Sequence, residues 1–130
     1  MKKLIDAIIK SSTGPARKDN PSEIQNTYLF GDDFMGFSGH FPGYPILPAV
    51  LQLLVARLLI EEQKGHEIRM SSIGKAKFMS EIRPNDPVTV QCVDADTAES
   101  RRSKVKIISG DRTVSSFNMY FYPLKEDANC

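Results

Sequence analysis

The chain has 130 residues, 41% apolar and 25% charged, which suits one ordinary globular domain able to bury a core. A formal net charge of +1 lacks the basic excess of a dedicated nucleic-acid binder. No apolar run reaches the roughly 18 residues a membrane helix needs. Asp6 and Lys10 interrupt the only candidate leader, Met1–Lys10, so a secretory signal is not expected. Cys92 and Cys130 lie far apart with no C-x-x-C spacing, and both read as free thiols of a reducing, cytoplasmic compartment.

In chain order, Leu4, Ile5, Ile8 and Ile9 repeat at helical spacing and predict a short amphipathic helix over 3–12. Gly14-Pro15 breaks it, and the polar run to Pro21 reads as a loop. A strand is expected over 22–30, ended by Gly31-Asp32-Asp33. Residues 34–48 hold Gly36, Gly39, Pro42, Gly43, Pro45 and Pro48, which excludes regular helix or central strand. They also hold Phe34, Phe37, His40, Phe41 and Tyr44, so this loop should pack against something.

The next helix is expected from Pro48, placed in its first turn, to Gln63, with a stop near Gly65. Before Glu61 its only polar residues are Gln52 and Arg57. A helix apolar all round but too short for a membrane should be buried inside the protein. Everything after it reads as strand: 70–79, then 88–93 beyond the turn Pro84-Asn85-Asp86-Pro87. A hairpin of 104–109 and 113–122 follows, joined by Gly110-Asp111-Arg112. The tail from Lys125 is polar and should fray. With no repeat or linker, 1–130 forms one α+β domain: a helix and loop over 1–21, a buried central helix, an antiparallel sheet and the tail over 125–130.

The run Gly39-His40-Phe41-Pro42-Gly43-Tyr44-Pro45-Ile46-Leu47-Pro48-Ala49-Val50-Leu51-Gln52 resembles the signature G-H-F-P-x-x-P-x-x-P-G-V-L of the beta-hydroxyacyl-acyl carrier protein dehydratases of fatty acid synthesis. Ile73-Gly74-Lys75-Ala76-Lys77-Phe78 and Arg83-Pro84-Asn85-Asp86 extend the resemblance, which covers about residues 22–122. It implies a hotdog fold, a sheet wrapped around the central helix. It also implies a homodimer, or a multiple of it, with sites shared between subunits. The partner would be an acyl thioester of acyl carrier protein or coenzyme A. The implied reaction removes water from a 3-hydroxyacyl group without metal or organic cofactor.

Carried over position by position, the resemblance makes His40 the base that takes the proton from C2. Ala49 stands where a glycine usually offers its backbone N–H to the thioester carbonyl. Leu54 stands where a carboxylic acid should protonate the leaving hydroxyl. Phe41, Pro42, Gly43, Tyr44 and Pro48 would contact substrate. Leucine cannot give a proton, and general acid catalysis is worth about 10²–10⁴-fold. Glu61 and Glu62 lie about 10 Å further along the helix at about 1.5 Å per residue, and Gln52 is no acid at neutral pH. Leu54 either lines an acyl tunnel or fills the place of the acid. Ala49 keeps its amide at a helix N-terminus, where donors and dipole favour negative charge.

Arg101, Arg102, Lys104 and Lys106 read either as a solvated edge strand or as a landing patch for an acidic carrier protein. His66 in Lys64-Gly65-His66 reads as solvated. Three functions stay open: a divergent dehydratase or isomerase in fatty acid or related lipid or polyketide synthesis, a hotdog acyl thioesterase, and a non-catalytic dimer that binds acyl groups or carrier proteins.

Overall fold

The computed structural model describes residues 1–37 and 43–124. His40, Phe41 and Pro42, together with the tail from Lys125, lie outside the described residues.

Apolar spacing builds α1 (Lys2–Lys10), which buries Ile8 and leaves Ile9 in solvent. The loop expected before Pro21 contains a strand, β1 (Arg17–Asn20). Its four side chains are exposed, so backbone pairing with β2 (Glu23–Leu29) defines it and no apolar alternation announces it. After β2 come α2 (Ala49–Lys64), β3 (Ile68–Phe78), β4 (Pro87–Asp94), β5 (Arg101–Ser109) and β6 (Arg112–Pro123). The strands form one antiparallel sheet of order β1-β2-β4-β5-β6-β3. The β5–β6 turn is one residue tighter than expected, and Gly110 takes its left-handed position (φ 64°), which glycine adopts without strain.

Alternation aims one face of this sheet at α2. Ile24 opposes Cys92, Cys92 opposes Val105 and Val105 opposes Phe117, giving a buried row across four strands. Leu51, Leu54, Val55, Leu59 and Ile60 of α2 join the same core. Each such side chain contributes about 1.5–3 kcal/mol relative to exposure. A curved antiparallel sheet holding one apolar helix is the hotdog architecture.

Two expectations for α2 change. Pro48 is the residue before the helix, in extended conformation (ψ 157°), rather than part of its first turn. The helix is also not covered all round: Val50 is 67% exposed and Leu53 and Leu58 are half-buried, because the sheet covers one side only. Gly65 ends the helix in the left-handed region (φ 79°), donating to the Glu61 carbonyl at 2.8 Å. The edge-strand reading of the basic cluster fails as well. Strand β5 lies between β4 and β6, with Lys104 and Lys106 on the outer face of the sheet.

Candidate functional site

The chain enters the His40 segment from an aromatic corner. The rings of Tyr28 and Phe30 stack at 5.9 Å, Phe30 meets Phe34 at 4.5 Å, and Phe34 meets Phe37 edge-on at 5.6 Å. Gly36 sits in a 3₁₀ turn (Met35–Phe37) where a Cβ would come within 2.4 Å of the Phe34 ring and 2.6 Å of Leu51 Cδ1. The turn therefore packs directly on α2, and only glycine fits there.

The chain leaves the segment through Gly43, with φ 81°. The Tyr44 hydroxyl donates to Glu81, and the Arg83 guanidinium lies over the Tyr44 ring at 4.3 Å. The bond to the Glu81 carboxylate holds the Tyr44 hydroxyl above its ordinary pKa. Leu47 is buried and its N–H donates to the Ile82 carbonyl at 2.8 Å. Asn85, itself at φ 70°, donates its N–H to the Phe30 carbonyl at 2.7 Å, and Asp86 accepts from the Arg83 N–H at 2.9 Å. The 81–86 turn thus clasps both ends of the segment that contains His40.

Helix α2 begins where this segment ends. Pro48 offers no side-chain cap, and its carbonyl accepts from Leu51 and Gln52 at 3.0 and 3.2 Å. Among the described residues, the amides of Ala49 and Val50 have no partner, and both residues are exposed. Unpaired N–H groups at a helix start can hold negative charge developing on an acyl oxygen.

Leu54 is buried in the core cluster and also lines a groove of about 630 Å³. Val50, Leu53, Ile68 and Met70 supply the groove's apolar wall, with Arg57 and Arg69 as its charged members. Among the described residues, no carboxyl group lines it. Glu61 accepts the Ile68 N–H at 3.0 Å and lies 3.8 Å from Arg57 Nε, so it is engaged away from Leu54.

Of the residues the sequence singles out, the structure places Gly43, Tyr44, Pro48, Ala49 and Leu54 along one strap and helix. His66 is exposed, with Nδ1 3.0 Å from the Glu67 carbonyl. One participant was passed over. Gln52 is buried and hydrogen-bonded at both ends of its amide, to the Leu47 carbonyl and the Ser115 hydroxyl. Its signal was present, since a polar residue inside an apolar helix must find partners. Among the described residues no group of three or more His, Cys, Asp or Glu could hold a metal ion, and no helix is long and apolar enough to cross a membrane.

A family model described as ApeI-like, ApeI dehydratase, matches residues 16–118. The chain is 37% identical over 62 residues to the 3-hydroxyacyl-[acyl-carrier-protein] dehydratase FabZ of Oceanobacillus iheyensis, covering 42% of the chain and 44% of that protein. It is 32% identical over 94 residues to the FabZ of Clostridioides difficile, covering 65% of the chain and 66% of that protein. The chain thus spans less than two thirds of these relatives' own length. The dehydratase heterocomplex ApeI:P from Xenorhabdus doucetiae superimposes with a TM-score of 0.75 at 19% identity, over 85% of this chain and 95% of that one. The Escherichia coli PaaI protein gives 0.65 at 12% identity, over 82% and 80%. At those identities the two structures establish the fold alone, whereas the family model spans most of the sequence: this chain belongs to the ApeI-like dehydratase family of hotdog proteins.

Proposed function

We propose that this protein is a divergent 3-hydroxyacyl thioester dehydratase-like protein that acts on or binds acyl thioesters in fatty acid or related lipid or polyketide synthesis. His40 serves as its base, and it works as a dimer. The observation that carries this reading is the start of α2. The Ala49 amide, without a partner among the described residues, follows nine residues after His40 in sequence, and the apolar groove begins at Val50 beside it and reaches Leu54. The amide suits a thioester carbonyl and the groove suits an acyl chain. The thioester would come from acyl carrier protein or coenzyme A, and the FabZ relatives are named for the first of these. The missing acid makes water loss slow.

The dimer rests on β3. Strand β3, 11 residues long, pairs with β6 on one side and, among the described residues, has no strand on the other. Met70 and Phe78 are 40% and 44% exposed on it. A long unpaired edge of this kind is covered in stable proteins, and a second copy also covers Val50 and Leu53 of α2.

Leu54 supports a second reading, in which a dimer partner of different sequence supplies the carboxyl group. The Xenorhabdus neighbour is, by its own description, a heterocomplex. The protein alone, incubated with 3-hydroxyacyl and with saturated acyl pantetheine thioesters, separates the readings when water loss and free thiol are followed together. The expected result is binding of both, slow water loss and no thiol release. Thiol release would make the protein a thioesterase. Binding with no water loss at all would favour the partnered or purely binding dimer.

A further inference from the structure

Gln52 is the only polar side chain that α2 buries, at 4% exposure. Its Nε2 donates to the Leu47 carbonyl at 3.2 Å, and its Oε1 accepts from Ser115 Oγ at 2.7 Å. Ser115 is fully buried on β6, the strand beside the β3 edge. The link therefore runs from the chain just before α2, through the first turns of α2, to a central strand of the sheet.

Three further facts give this link a purpose. Pro48 provides no side-chain cap, so no ordinary device fixes the first turn. The N–H of Leu47 is already tied to Ile82, so the Gln52 bond to the Leu47 carbonyl holds that residue from its second side. Leu47 is two residues before Ala49, whose amide has no partner among the described residues. Its carbonyl thus belongs to the peptide that sets how the chain turns into the helix. A misplacement of about 1 Å at a reacting group can cost about 10²-fold.

Resting on the reading that the Ala49 amide receives a thioester carbonyl, we infer that Gln52 is a positioning residue. By bridging Leu47 and Ser115 it aims the Ala49 N–H at the substrate oxygen. Gln52 touches no substrate itself; it acts through the backbone it holds.

The test uses hexanoyl pantetheine isotopically labelled at its thioester carbonyl, with the carbonyl stretch read by infrared difference spectroscopy. In the parent, binding should lower the stretching frequency, as a donated hydrogen bond does. Gln52→Met keeps the side-chain length and removes both bonds. It should still bind the thioester through the groove but lose most of the shift. Gln52→Glu should lose the shift when its carboxylate is ionised and recover it as the pH falls. The protonated carboxyl can again donate to Leu47 and accept from Ser115, a recovery that a purely structural role does not predict.

An undiminished shift in folded Gln52→Met overturns the inference. If that variant does not fold, Gln52→Glu decides: a shift unchanged across the titration overturns the inference as well. A parent that binds the thioester with no shift overturns the Ala49 assignment, and the Gln52 role with it. A parent that binds no thioester overturns the proposed function itself.

Discussion

Burial holds the Cys92 thiol neutral. Cys92 has no solvent exposure, and its pKa is pushed up to about 12, chiefly by desolvation. Tyr28 is likewise raised, first by burial. In both cases the folded chain keeps a proton that the unfolded chain releases, so stability falls as pH rises. The loss should begin near pH 9, where an unfolded thiol titrates. Its slope is about 1.4 kcal/mol per pH unit for one such group. Urea unfolding between pH 7 and 11 should show a plateau and then this decline, and Cys92→Ala should remove its onset between about pH 9 and 10, leaving the later part due to Tyr28. A decline with the same onset in that variant would contradict the assignment. The same logic of burial explains what could be read at single residues. Gln52 was visible as a polar residue in an apolar helix, but its partners lie five residues back and 63 residues ahead, and only folding brings Ser115 to it. The need for glycine at position 36 was equally hidden, because the obstacle is the Phe34 ring together with Leu51 of another element.

At the scale of elements, β4 and the β5–β6 hairpin were legible because their apolar residues alternate at the period of a strand, and α2 because a long apolar run lies between Pro48 and Gly65. Strand β1 was not, since its Arg-Lys-Asp-Asn sequence has no face to bury and pairs by backbone alone. Strand order was also beyond local pattern. The lysines of β5 looked like an edge device, yet β6 folds back beside it and β3 takes the outer place. Sequence separation hides this, since Ile68 pairs with Pro123. The consequence is testable. If the β3 edge and the open flank of α2 are covered by a second copy, light scattering at micromolar concentration should report a dimer or a multiple of it. A monomer there would contradict the shared-site arrangement.

For the whole molecule, the family was legible from the proline spacing around His40, while His40 itself lies outside the described residues. What the fold adds is the surroundings of position 54. They are apolar on the Val50, Leu53 and Met70 side and carry Arg57 one turn further on, with no carboxyl group lining the groove among the described residues. On the proposed function, this is a dehydratase site short of its acid. The most direct measurement is the rate of water loss from a 3-hydroxyacyl pantetheine thioester by the parent and by Leu54→Glu, compared as folded dimers of matched melting behaviour. The apolar wall favours the neutral carboxyl that a general acid needs, and Arg57 opposes it, so the rate of the variant should fall as pH rises. The buried carboxyl should cost about 1–3 kcal/mol of stability. A site short of its acid should lose water slowly in the parent and gain about 10²-fold in Leu54→Glu. Rapid turnover by the parent, or no gain in a well-folded Leu54→Glu dimer, would contradict this reading.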